Sequence, residues 1–171
     1  GHEVHLLCQD REAAELDWVN AVGGWEAGEL AVRELRPPNG EGSVTVYRPE
    51  IGDLLPGFVP DRYEGFEVKT FPELSDEELE RYLEANVGAV REVVESSGDP
   101  GAALANHLVM GPVILARAGL RYALKVHGSD LNVLGQRPVV RAHLRATLPH
   151  AAGLIAVSRP LGDRAVELGM P

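Results

Sequence analysis

Read for the spacing of its apolar and polar positions, the chain falls into three stretches. Glu3 to Cys8 (Glu-Val-His-Leu-Leu-Cys) predicts a short buried strand, and Asp10 to Val22 carries Ala13, Ala14, Leu16, Val19 and Val22 at loosely helical spacing. From Gly23 to Phe71 the pattern is irregular, because Gly23-Gly24, Pro37-Pro38-Asn39-Gly40 and Gly42 interrupt any long element. One strand, Ser43 to Tyr47, stands out there. Ser75-Asp76-Glu77-Glu78 then has the form of a capping box, with Ser75 accepting from the backbone of Glu78 while Glu78 reaches back. A helix should follow, with a stripe of Leu79, Tyr82, Leu83, Val87, Val90, Val93 and Val94, stopped by Ser96-Ser97-Gly98-Asp99-Pro100. The acidic run Glu73 to Glu80 is read as the solvated face of that helix start, where its charge suits the helix dipole.

The last third alternates short apolar runs with helical ones: Ala102–Ala105, Pro112–Ala118, Tyr122–Val126, Val139–Leu148, Leu154–Val157 and Pro160–Leu168. This β-α-β-α-β-α order predicts an α/β fold with a parallel sheet covered by helices.

Composition narrows the function classes. The 171 residues, 44% apolar and 25% charged, suit one soluble domain, 1–171. No apolar run approaches the ~18 residues of a membrane span, and Gly-His-Glu-Val at the start has neither a basic n-region nor a cleavage site. The single cysteine, Cys8, forms no internal disulfide, which fits a cytoplasmic location. A formal net charge of −10 argues against nucleic acid as a partner.

In open parallel sheets, ligands bind beyond the carboxyl ends of the strands. Three predicted strand ends carry polar residues: Asn106-His107, His127-Gly128-Ser129-Asp130 and Ser158. Around His127, two readings stand side by side. Gly128 lets a ligand approach the backbone while Ser129 and Asp130 hydrogen-bond it, or the four residues are a turn and a helix cap. His107 is either an anion-facing group at a crossover start or a structural histidine, and Ser158 is either a ligand contact or the N-cap before Arg159-Pro160. Other chemistries lack their spacing. Ser129 is not in a Gly-x-Ser-x-Gly elbow, and His127 and Asp130 have no second metal-ligand cluster. Neither a dinucleotide Gly-x-Gly-x-x-Gly nor a Walker loop is present, so no cofactor is indicated.

From Ala102 to Met170 the order of signals resembles family 4 glycosyltransferases. Ala105-Asn106-His107 precedes a Gly-Pro helix, and a strand runs into His127-Gly128-Ser129-Asp130-Leu131. Arg137, a basic helix with Arg141 and Arg145, and Ala152-Gly153-Leu154-Ile155-Ala156-Val157-Ser158 follow, before a helix ending Glu167-Leu168-Gly169-Met170-Pro171. The opening Gly1-His2-Glu3-Val4 is similar to the family's second strand. The resemblance covers about two-fifths of the chain, and residues 9–100 add little to it.

It implies a Rossmann-like three-layer parallel sheet, the N-terminal, acceptor-side domain of a GT-B enzyme, lacking the family's first strand and therefore an interior member of its sheet. The implied activity is transfer of a sugar, with retention, from a nucleotide-sugar donor held by a C-terminal domain to a sugar, lipid or small-molecule acceptor. A fragment of this kind is expected to be inactive alone. His127 matches the family's histidine near the reaction centre, Gly128, Ser129 and Asp130 would orient the loop or an acceptor hydroxyl, and Arg137 would meet phosphate or an acidic acceptor if it is not a surface arginine. Arg141 and Arg145 share a helix face, and membrane contact through such a basic patch is an implied partner set against the chain's acidity. The competing readings are a noncatalytic α/β module that binds a sugar or phosphate, and another GT-B enzyme such as an epimerase or a phosphorylase-like protein.

Overall fold

The computed structural model describes residues 1–38, 40 and 42–167. The elements run β1 (His2–Leu7), β2 (Ala21–Glu26), β3 (Glu29–Glu34), β4 (Gly42–Tyr47), β5 (Leu54–Gly57), β6 (Glu67–Thr70), α1 (Asp76–Ser97), β7 (Leu104–Ala105), α2 (Gly111–Arg117), β8 (Tyr122–Val126), α3 (Gly128–Gln136), α4 (Pro138–Thr147), β9 (Ala151–Ala156) and α5 (Arg159–Glu167). The fold is α/β. The chain divides into two compact units, Gly1–Glu50 with Ala89–Gly98, and Ile51–Gly88 with Asp99–Pro171. Leu168, Gly169, Met170 and Pro171, where the sequence predicts the close of the last helix, and Asn39 lie outside the described residues.

In the first unit a sheet of order β1-β4-β2-β3 pairs β1 and β2 parallel to β4. β3 returns antiparallel along β2, so the parallel pairing expected of the whole fold is broken by one hairpin. Its turn is Ala27-Gly28, both with positive φ (53° and 85°), the two-residue geometry that matches strand twist and favours Asn-Gly. Ala27→Asn is therefore expected to stabilise the chain by up to about 1 kcal/mol, because asparagine tolerates the left-handed region better than alanine. A rise in the urea midpoint at unchanged slope is the measurement.

The helix expected over Asp10–Val22 is not formed: only a single 3-10 turn, Ala13–Glu15, occupies it before β2 begins at Ala21. One local hydrogen bond and two distant ones hold the segment in another conformation. The Asp10 carboxylate accepts from the N–H of Glu12 at 2.8 Å, and Asn20 accepts from Val44 N–H at 2.9 Å while its amide donates to the Pro37 carbonyl at 3.0 Å. The apolar residues counted toward a helix instead form the core of this unit, where Ala13, Val19 and Val46 are buried with Leu16 and Val22 packed against them. Gly23, which reads as a breaker, is a strand residue paired with Val32 of β3 and Tyr47 of β4, and the Tyr47 ring occupies the space a side chain there would need.

In the second unit, β5 and β6 pair parallel, and β7-β8-β9 form a parallel sheet in that order. The alternation expected of this stretch is observed with one helix added, since α3 and α4 both lie between β8 and β9, and β8 is at the expected residues, Tyr122–Val126. Its core includes Leu108, Leu124, Val126, Leu134 and Leu144, with α2 and α4 in contact. Tyr122 anchors the start of β8 by donating its hydroxyl proton to the Thr147 carbonyl at 2.9 Å.

The capping box is as expected: Glu78 N–H donates to Ser75 Oγ at 3.1 Å and Ser75 N–H to the Glu78 carboxylate at 2.8 Å. Lys69 Nζ lies 2.5 Å from the same carboxylate. The Lys69 ammonium and then the Ser75 N–H hold the Glu78 carboxyl down from 4.5 to about 2. A carboxyl lowered in the folded state contributes stability that is complete above its unfolded pKa and lost as the pH falls through the folded one. Glu78→Gln is thus expected to flatten the fall of unfolding free energy between pH 4.5 and about 2 while leaving the shape of the profile above pH 5 unchanged. Parallel acid branches in the two proteins would remove Glu78 from the acid response.

Candidate functional site

β7 and β8 are parallel neighbours, with Leu104 opposite Ala123 and Ala105 opposite Leu124. The residues that follow them leave the sheet at its carboxyl edge. His107 comes two residues after β7, and His127 is the first residue after β8, held extended (φ −118°, ψ 159°) as the N-cap of α3. Their rings stack with centroids 4.3 Å apart and planes at 30°.

One carboxylate organises this edge. Asp130, the third residue of α3, is fully buried. Its Oδ2 accepts from the N–H of His127 at 2.8 Å, the carboxylate half of a capping box. Its Oδ1 lies 3.2 Å from His107 Nδ1 and accepts from the Val109 N–H at 3.4 Å. A charge removed from water is tolerable only when its lone pairs are occupied in this way. Asp130 thereby ties the end of β7, the end of β8 and the start of α3 to one another. Where the chain passes from Val109 into α2, Met110 is buried with φ +66°, an unfavourable conformation for a side-chain-bearing residue and one concentrated at functional edges.

An aromatic row leads to the histidines. Tyr82 and Phe71 have centroids 6.4 Å apart, Phe71 and Phe58 5.3 Å, and Phe58 and His107 4.6 Å. Burial pushes the Tyr82 phenol up to about 12, so it stays neutral. At the end of the row, His127 Nε2 is buried with no hydrogen-bond partner among the described residues. A buried polar atom without a partner is costly and uncommon.

The other residues singled out in the sequence take different places. Gly128 opens α3 and is exposed, and a Cβ there would meet nothing within 4 Å, so no packing in the chain requires glycine. Ser129 lines a cleft of ≈ 280 Å³ with Phe58, Val59, Thr70, Pro72, Asn132, Val133 and Gln136. Ser158 is exposed, and its carbonyl accepts from the Gly162 N–H at 3.1 Å at the start of α5. Arg137 is not a surface residue: it is 8% exposed, donates to the Phe71 carbonyl and meets Asp76 Oδ1 at 2.9 Å. Those contacts fix the junction of α3 and α4 to Phe71, before α1, and to Asp76, its first residue. The acidic run is partly paired rather than wholly solvated, Glu78 with Lys69 and Glu80 with Arg117.

Phe58 was not legible as a site residue. It follows β5, and its ring contacts with Phe71 and His107 are tertiary. Its one local signal is a lone aromatic between Gly57 and Pro60.

Among the described residues, no group of three or more His, Cys, Asp or Glu is disposed to hold a metal ion, and no helix is long and apolar enough to cross a membrane. No family model, curated protein or solved structure matches the chain.

Proposed function

We propose that the chain is the acceptor-side part of a retaining GT-B glycosyltransferase resembling family 4. The observation that carries this reading is the stacked pair His107 and His127, tied by buried Asp130 at the carboxyl edge of β7 and β8, with His127 Nε2 unpartnered. Three adjacent parallel strands, β7-β8-β9, supply the edge at which α/β sheets bind ligands.

In this reading the nucleotide is held by a second α/β domain, and the donor sugar meets the His127 edge. Cleavage of the bond to the nucleotide phosphate develops positive charge on the sugar ring and negative charge on the leaving oxygen, so catalysis rests on positioned dipoles. His127 Nε2 hydrogen-bonds the donor in that transition state. The bare backbone at Gly128 leaves room for the sugar, since nothing in the chain fills the space. His107, with Nδ1 against Asp130, keeps the His127 ring stacked in place and acts as a positioning residue.

Arg137 has no part in phosphate binding here, because its guanidinium is committed to Phe71 and Asp76. Product analysis of the full-length protein with nucleotide-sugar donors tests the reading, a transferred sugar with retained anomeric configuration being the expected result. The uncharged cleft beside α3 favours one other reading, a noncatalytic sugar-binding module, and sugar binding with no turnover of any donor would support it.

A further inference from the structure

The cleft along α3 has a definite chemistry. Ser129, Asn132 and Gln136 are spaced three and four residues apart, so they share one face of the helix and line one wall. Phe58, Thr70 and Pro72 line it as well. Its walls are thus hydroxyl, amide and apolar, and no lining residue carries a formal charge. Asn132 and Gln136 are exposed, and neither side-chain amide is hydrogen-bonded to another described residue.

Two features weigh against an anionic occupant. Thr70 donates its hydroxyl proton to Glu73 at 2.7 Å, and this bond together with the Thr70 N–H holds the Glu73 carboxyl below its ordinary range, so a carboxylate stands behind the cleft wall. The positive end of α3, the usual attraction for a phosphate, is already answered by Asp130. Phe58 joins the cleft to the histidines, lining the one and packing at 4.6 Å on His107.

We infer that this cleft takes a neutral, hydroxyl-rich ligand, a sugar or cyclic polyol without phosphate, held by the amides of Asn132 and Gln136. The hydroxyls exchange hydrogen bonds with the two amides and Ser129, and Thr70 Oγ accepts one while donating to Glu73. The apolar face of the ring lies against Phe58, an arrangement that suits the edge of a sugar as it suits any ring with a hydrocarbon face. The volume of ≈ 280 Å³ accommodates one such ring. The inference deepens the transferase reading, in which this ligand is the acceptor, and narrows the acceptor from sugar, lipid or small molecule to a neutral polyol.

The test is an NMR titration of the 171-residue chain with methyl α-glucoside and with myo-inositol, set against glucose 6-phosphate and inorganic phosphate. The neutral probes are expected to shift the Asn132 and Gln136 side-chain amide signals and the Phe58 ring saturably. The double variant Asn132→Leu, Gln136→Leu should bind them roughly tenfold or more weakly, as expected when hydrogen-bonding groups are replaced by apolar ones, with backbone shifts in β7-β8-β9 unchanged. Absence of a saturable shift with either neutral probe, tighter binding of the phosphorylated probes, or an unaffected double variant would each overturn the inference. Donor turnover is read separately in the full-length protein, so saturable binding without transfer rejects the transferase reading and keeps the polyol site, whereas transfer to an acceptor that leaves these signals unmoved rejects the site alone.

Discussion

Replacing Asp130 with alanine should lower the unfolding free energy by about 3 kcal/mol or more, the largest stability effect expected at this edge. The carboxylate is fully buried and accepts from the N–H groups of His127 and Val109 while facing His107 Nδ1. Truncation leaves those donors in a place that water does not reach, and each stranded backbone donor costs about 1–3 kcal/mol. The 3.4 Å bond from Val109 is the weaker of the two and belongs at the low end of that range. Asp130→Asn keeps the volume and one acceptor oxygen but turns an NH2 group toward one of the N–H donors, so its loss should lie between zero and that of the alanine variant. Urea unfolding at neutral pH gives both values. Ring proton shifts of His107 and His127 separate a local effect from a global one: they should move in both variants, because the carboxylate sets the geometry of the stack. A loss below about 1 kcal/mol for Asp130→Ala would mean that solvent reaches the stranded groups, and the edge is then open rather than organised.

The second unit was readable because its elements are local. Tyr122–Val126 is a short, largely apolar run, interrupted by Lys125 and bounded by Arg121 and His127, and its strand character is legible without information from elsewhere in the chain. The box at Ser75 and Glu78 is equally local, since both hydrogen bonds lie within four residues. The first unit was misread where distant groups decide the outcome. Gly23-Gly24 are strand residues because they pair with Val32 and Ala31 of β3 and Gly23 also with Tyr47 of β4, and Leu16 and Val19 leave helical geometry to join a core with Val46. Spacing along thirteen residues cannot report a partner some two dozen positions away.

The site was legible in part for the same reason. His107, His127 and Asp130 each follow an apolar run, so a parallel sheet was enough to gather them at one edge. Of the two readings that stood side by side for this loop, the structure shows the helix cap. Asp130 is a cap for α3 and also the anchor of the histidine pair. Arg137 misled because an arginine between two helices ordinarily faces water, whereas this one is drawn inward by the free carbonyl of Phe71, a partner that leaves no trace in the side-chain pattern. Phe58 stayed hidden because its contacts with Phe71 and His107 are tertiary.

On the proposed transferase reading the decisive variant is His127→Ala in the intact protein, with kcat for sugar transfer expected to fall roughly a hundredfold or more, the usual cost of removing one positioned donor from a developing charge. The fold should survive. The bond to Asp130 comes from the His127 backbone N–H, which alanine retains, and the ring removed is only half-buried. If Nε2 contacts the donor only as charge develops, KM for the nucleotide sugar should change little while kcat and kcat/KM fall together. His127→Gln carries an amide N–H toward the same place and should recover part of the loss, whereas a purely structural role would tie the activity of both variants to their stability. His107→Ala supplies the contrast: as a positioning residue it should cost less than His127→Ala and leave the polar groups of α3 in place. Turnover equal to wild type in His127→Ala would remove the unpartnered Nε2 from the reaction, and the stacked histidines would then serve only to close the edge over Asp130.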